Sequence, residues 1–232
     1  MADQPITVEE LPTWSQAGYL AQKAQLVPEE TIPKYEANEE INRKVTFWMK
    51  GNSVKLAADA IVNAANSYLL AGGGICGMIH RAAGPELQDA CAEIGGCPTG
   101  SSVVTPGFEL PAKYVIHAVG PIGENPEALQ SVYESVLSHI NGDTIKSVAL
   151  CCISTGIYGY PIERATPIAL ETVRKFLEIP ENLQKTERII FVVFSPKDVR
   201  TYYQFINEYF PLTANEINEG KTKAGEEEEI GE

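Results

Sequence analysis

Cysteine and histidine are sparse in this chain: five and three of 232 residues. No two of the cysteines (Cys76, Cys91, Cys97, Cys151, Cys152) stand at Cys-x-x-Cys spacing, and no Cys/His group has the sequence spacing of a zinc site. An odd number of thiols, two of them adjacent, points to a reduced protein without disulfides, cytosolic or nuclear, and no metal centre is expected. Cations are also short, with 18 Lys and Arg against 31 Asp and Glu and a net charge of −13. That balance argues against direct binding of nucleic acid through its phosphates. The longest apolar run, around "VALCCI", is far below the roughly 20 residues of a membrane span. The opening "MADQPITVEELPTW" has neither a basic n-region nor an apolar h-region, so no membrane role is expected.

What is present is a composition of ordinary globular type, 44% hydrophobic and 21% charged. The length favours one domain with extensions. The stretch from Thr213 to Glu232 holds seven Glu against two Lys and shows no apolar periodicity. Residues 211–232 are therefore predicted to be a disordered acidic tail. Residues 1–43 carry scattered apolar positions (Trp14, Leu20, Leu26) interrupted by Pro28 and Pro33, the pattern of an extension packing on a core formed by residues 44–210.

Within 44–210, short β-branched or aromatic runs alternate with helical periodicities, which predicts an α/β layer fold. "VTFWM", "AIVNAA", "YVIHAV", "SVALCCI" and "RIIFVVF" read as strands, the last two as buried central ones. Leu129, Val132, Val136, Leu137 and Ile140 keep helix spacing, as do Ala165, Ile168, Thr172, Val173 and Phe176, and again Val199, Tyr202, Tyr203, Ile206 and Phe210.

Ligands of such sheets bind at the carboxyl ends of the strands, and two glycine-bearing loops fall there: "NSYLLAGGGICG" and "STGIYGYP". Glycine lets a ligand approach the main chain and turns N–H groups toward it, so the two loops together describe an anion cradle. Gly72-x-Gly74-x-x-Gly77 imitates a dinucleotide fingerprint. However, six residues separate the predicted strand from the first glycine, and the following helix runs into "EIGGCPTG" and not into a second strand ending in an acid. No Lys-Ser/Thr pair follows the glycines, which excludes a Walker loop. Asn63 and Asn66 have two readings, turn residues after a strand or, for Asn66, a ligand contact. His80 and His117 read as packing residues.

"DAIVNAANSYLLAGGGICGMIHRAAG" (Asp59 to Gly84), "LPAKYVIHAVGP" (Leu110 to Pro121) and "CISTGIYGYP" (Cys152 to Pro161), in this order, resemble a macrodomain of the MacroD type. The similarity covers about residues 44–210, and "LPTW" resembles the start of the extension that precedes such cores. The resemblance implies a three-layer α-β-α fold with a mixed central sheet and a site for ADP-ribose. It places the pyrophosphate between Gly73, Gly74 and Ile75 on one side and Ser154, Thr155, Gly156 and Ile157 on the other. It also implies that Asn66 binds the distal ribose, that Tyr158 closes over it, that Phe194 packs on adenine, and that Asn52 and Ser53 lie at the adenine end. Backbone N–H groups and a helix N-terminus would carry the anionic charge, which reconciles an acidic chain with an anionic ligand.

Two positions depart from the family. Asn52 stands where the family has an adenine-recognising aspartate; its carbonyl can accept the exocyclic amine without the charge that strengthens such a bond. Cys76 stands ten residues after Asn66, where hydrolytic members carry an aspartate that orients or activates water. The resemblance thus makes Asn66, which would position ribose and water, and Cys76 the catalytic residues, Cys76 by position only, since a thiol cannot serve as a carboxylate. The expected function is binding of ADP-ribose and hydrolysis of mono-ADP-ribose from acidic side chains of proteins, without cofactor or metal, by a monomer whose partners are ADP-ribose and mono-ADP-ribosylated proteins. The alternatives are a reader module that binds without turnover, or deacetylation of O-acetyl-ADP-ribose.

Overall fold

The computed structural model describes residues 4–28 and 30–230, with side chains to residue 225. In chain order the elements are β1 (Ile6–Thr7), α1 (Trp14–Lys23), α2 (Glu39–Asn42), β2 (Val45–Met49), β3 (Leu56–Ala57), β4 (Ala60–Ala64), α3 (Gly74–Ala83), α4 (Glu86–Ile94), β5 (Ser101–Pro106), β6 (Tyr114–Val119), α5 (Pro126–Ser138), β7 (Ser147–Leu150), α6 (Ile162–Glu178), α7 (Pro180–Lys185), β8 (Arg188–Val193), α8 (Pro196–Tyr209) and α9 (Ala214–Ile230). Among the described residues six strands form the main sheet in the order β2-β8-β7-β4-β6-β5. The first five are mutually parallel and β5 runs antiparallel to β6, so the sheet is mixed.

The two-residue period of a strand divides the core between the faces of the sheet. Ile189, Phe191 and Val193 point to one face, with Val62, Ile116 and Val148, and pack against α5, α6 and α8. Ile190 and Val192 point to the other, with Ile61, Val115 and Ala149, and meet Ile79, Leu87 and Cys91 of α3 and α4. Each side chain of β8 after Arg188 is buried, because a parallel strand at the centre of a three-layer fold has no solvent face. All five strands expected from their apolar runs are present. The edge strand β5 (SSVVTP) was not foreseen, since a half-exposed antiparallel edge lacks the continuous apolar run of a central strand.

Residues before β2 are built into the core. Val8 and Leu11 sit under α3 and α4; Trp14 joins the opposite core, where its ring meets Phe47 edge-on at 5.3 Å and its Nε1–H donates to the Phe210 carbonyl at 2.8 Å. Helix α1 starts at a Thr13/Gln16 capping box.

Past residue 211 the described chain continues into a helix; of the acidic tail expected over 211–232, residues 231–232 and the side chains from 226 onward lie outside the described residues. Thr213-Ala-Asn-Glu216 is a capping box: the Glu216 N–H donates to Thr213 Oγ1 at 3.2 Å and the Thr213 N–H to Glu216 Oε2 at 2.8 Å. It opens α9. The Glu216 carboxylate is buried and also accepts from Asn42 Nδ2 at 3.0 Å, while Ala224 is buried and Gly220 lies so close to the Tyr19 ring that a Cβ there would come within 2.4 Å of Tyr19 Cβ. A cap, one buried carboxylate and a close helix–helix approach order this segment although its composition is acidic.

Candidate functional site

The carboxyl ends of β2, β4, β6, β7 and β8 open into one cleft of about 500 Å³, within the range typical of small-ligand sites. All thirteen residues expected at the site line it: Asn52, Ser53, Asn66, Gly73, Gly74, Ile75, Cys76, Ser154, Thr155, Gly156, Ile157, Tyr158 and Phe194.

The loop after β4 forms one wall, and Asn66 shapes it. Its Oδ1 accepts from the N–H groups of Tyr68 and Leu70, each at 3.2 Å, and its Nδ2 donates to the Leu70 carbonyl at 2.7 Å. The turn reading of this asparagine therefore holds, and the same side chain borders the cleft. The chain then reaches Gly73, the N-cap of α3, and Gly74, whose φ of +59° lies in the left-handed region. The N–H groups of this first helical turn have no acceptor inside the helix, as at every helix start, and the helix dipole adds positive potential there. Gly77 permits the loop to fold over α3, since a Cβ on it would lie 2.3 Å from the Gly72 carbonyl oxygen.

The opposite wall is the loop after β7. Ser154 sits at φ +66°, an uncommon conformation for a side-chain-bearing residue and a local strain of the kind that collects at functional loops. Its backbone carbonyl accepts from the Tyr160 N–H at 3.0 Å, closing the turn that presents Thr155 to Tyr158. Ser154 Oγ is buried with no hydrogen-bond partner among the described residues. Ile157 is 80% exposed at the rim. Tyr158 is half-buried, and burial pushes its phenol above the ordinary value.

At the other end of the cleft stand Asn52, after β2, and Phe194, after its neighbour β8. Phe194 is 71% exposed, a free aromatic face rather than a core ring. Asn52 uses its Oδ1 to accept from the Val54 N–H at 3.3 Å and cap a single 3-10 turn that begins at Ser53.

Cys76 lies on the floor, buried, in the first turn of α3. Its thiol donates to the Leu70 carbonyl at 3.6 Å, and its sulfur faces Asn63 Nδ2 at 3.7 Å. Cys151 and Cys152 also border the cleft, but burial pushes Cys151 up to about 12 and Cys152 higher still, so neither is an available thiolate. The sequence reading missed Gly120 and Asp198. Gly120 directly follows β6, and a Cβ there would lie 2.1 Å from Ser154 Oγ; the strand-end rule applied to "VIHAVG" would have found it. Asp198, in the first turn of α8, has no sequence signal that separates it from a helix-start carboxylate.

Among the lining residues there is no Lys or Arg. Fold and cleft together define an α/β domain with a cleft across its strand ends, walled by two glycine-bearing loops. The Macro domain profile matches residues 62–169. A macro domain-containing protein of Ralstonia nicotianae is 47% identical over 165 residues, covering 69% of this chain and 93% of that protein. The chain belongs to the macro domain family. ADP-ribose glycohydrolase MACROD2 of Xenopus laevis is 46% identical over 198 residues, 83% of this chain and 47% of the frog protein, so the chain spans about half the length of that relative. A crystal structure of a Trypanosoma brucei macrodomain in complex with ADP-ribose superposes with a TM-score of 0.71 at 40% identity, covering 86% of this chain and 76% of that one.

Proposed function

We propose that this chain binds ADP-ribose and hydrolyses the ester joining the distal ribose to an acidic side chain of a modified protein. One observation carries the reading: two glycine-bearing loops face each other across a cleft that offers backbone N–H groups and no basic side chain. A pyrophosphate fits that surface, with the start of α3 on one side and the turn at Ser154 to Ile157 on the other. Phe194 and Asn52 then receive the adenine, and Asn66, Cys76 and Tyr158 surround the distal ribose. The frog relative named as an ADP-ribose glycohydrolase and the trypanosomal structure holding ADP-ribose support both parts of the proposal.

In the reaction, water adds to the ester, the bond between the ribose and the carboxyl group breaks, and ADP-ribose and a free carboxylate leave. The contribution of this chain is orientation and preorganised dipoles at the ribose end, which supply large rate factors without a strong base. Cys76 favours a second reading, a module that holds ADP-ribosylated protein without turnover, because its thiol is buried and engaged with Leu70 and Asn63 where a carboxylate would be needed.

Single-turnover release of ADP-ribose from a protein mono-ADP-ribosylated on glutamate separates the two. Release dependent on Asn66 establishes the hydrolase, tight binding without release establishes the reader, and absence of ADP-ribose binding overturns both.

A further inference from the structure

Behind the floor of the cleft lies a closed polar cluster that the function above does not use. His80 of α3, Cys91 of α4 and His117 of β6 are far apart in sequence and all buried, and one ligand atom from each falls within 4.8 Å of the others. His80 is 92% buried, and among the described residues neither ring nitrogen has a hydrogen-bond partner. Leaving buried polar atoms bare costs about 1–3 kcal/mol each, so an unpartnered imidazole facing a thiol and a second imidazole needs an explanation.

The neighbours of His117 fix its tautomer. Thr105 Oγ1 donates to the Pro106 carbonyl at 3.1 Å and so accepts from the His117 Nε2–H at 3.0 Å. His117 Nδ1 then carries the lone pair. It faces Asn63 Nδ2 at 3.1 Å and Cys91 Sγ at 4.0 Å; the same sulfur lies 3.7 Å from Nε2, so it must shift toward Nδ1 to share a metal with it. A ligating histidine commonly donates its second ring N–H to an oxygen in this way. Asn63 Oδ1 is a third buried atom without a partner. The two ends of an Asn amide are assigned by their hydrogen bonds, and turning this one places Oδ1 where Nδ2 now faces Nδ1. One sulfur and two imidazole nitrogens then lie within 4.8 Å of one another, with a carbonyl oxygen 3.1 Å from one of those nitrogens.

We propose that His80, Cys91 and His117, with Asn63 Oδ1 as fourth donor, form a buried binding site for one zinc ion. Zinc prefers four donors of this nitrogen and sulfur character, with Zn–S near 2.3 Å and Zn–N about 2.0–2.1 Å. Tetrahedral geometry with those bonds separates S from N by roughly 3.5 Å, half an ångström less than the present Cys91–His117 Nδ1 distance of 4.0 Å. On binding, the Cys91 S–H bond breaks, an S–Zn bond forms and one proton leaves to solvent. The ion would tie α3 and α4 to β4 and β6 directly behind Cys76, because Asn63 reaches both sides of that wall.

The test is zinc content and titration of the purified 232-residue chain, with cobalt as the spectroscopic substitute. The expected result is one ion per chain, release of one proton, a thiolate-to-cobalt charge-transfer band and a rise in Tm of a few degrees with zinc. All four signals should vanish in Cys91→Ser and in His80→Leu and persist in Cys97→Ser, whose thiol points to the Pro98 carbonyl instead. His80→Leu removes a side chain that makes no hydrogen bond among the described residues and keeps an apolar group in its place, so it reports on metal even if Cys91→Ser folds poorly. Zinc uptake by the His80→Leu chain equal to that of the unaltered chain, or none by either, overturns the proposal.

Discussion

Gly73 and Ile157 face each other across the cleft so closely that a Cβ on Gly73 would lie 2.9 Å from Ile157 Cδ1. One is the N-cap of a helix and the other the tip of an opposing loop, and the gap between them is where the pyrophosphate of the proposed ligand passes. Closure of the two walls on a ligand therefore depends on the absence of a side chain at 73. Gly73→Ala should weaken ADP-ribose binding modestly, about tenfold or 1.4 kcal/mol, because Ile157 is exposed and can yield. Calorimetry on the variant measures it.

Gly74→Glu should abolish ADP-ribose binding, by at least a hundredfold or about 3 kcal/mol, while the fold survives. Space is available, since nothing lies within 4 Å of a Cβ there, and the positive φ of +59° costs a side-chain-bearing residue about 1–2 kcal/mol. The carboxylate, however, would stand beside the pyrophosphate. Circular dichroism and calorimetry together check this, and wild-type affinity in a folded variant would make the glycine run a mere turn. NAD should bind the unaltered chain much less well than ADP-ribose, since a pocket closing over a free ribose end leaves little room for nicotinamide.

Cys76→Ala should leave ADP-ribose binding intact and change single-turnover release by less than about tenfold, or 1.4 kcal/mol of barrier. An essential nucleophile would lose nearly all turnover. Cys76→Asp places a carboxylate on the floor of the cleft, at the position of the present sulfur, and hydrolysis should rise. Affinity should fall somewhat, because the new charge approaches the Leu70 carbonyl and the ligand's own negative charge. A chain inert until Cys76→Asp is introduced is a reader.

Asp59 ties the start of β4 to β7 and supplies a pH test of stability. Burial alone would raise its pKa, but the Lys113 ammonium at 2.7 Å and the N–H groups of Lys146 and Ser147, each at 3.0 Å, outweigh it and hold the carboxyl below its ordinary value. A depressed folded-state pKa means that the carboxylate stabilises fully above the unfolded value, near 3.9, and that this contribution is lost as pH falls through the folded value. Asp59→Asn should cost about 1–3 kcal/mol at neutral pH. Urea midpoints of wild type and variant should converge below pH 4.

Trp14→Ala should cost about 3–5 kcal/mol, since it empties a core position and leaves the Phe210 carbonyl without its donor. Thermal denaturation reads the loss directly.

The main sheet was legible because strands buried on both faces must be continuously apolar, and "RIIFVVF" and "SVALCCI" have no other stable use. The cleft was legible for a related reason: glycine is the residue that lets a ligand reach the main chain, and two glycine-bearing loops after strands leave few alternatives. The sequence also carried Thr213-x-x-Glu216, whose meaning as a helix start was overridden by the acidic composition around it. Tertiary structure alone decided the rest. Glu216 orders α9 because Asn42, nearly the whole chain away, meets it in a buried place. His80, Cys91 and His117 share one point only because α3, α4 and β6 pack there, so their sequence separations carry no ligand spacing to read. Local chemistry repeats at fixed intervals along a chain and can be read from it, whereas a contact between distant elements is set by how their faces pack, and that arrangement exists only once the core has formed.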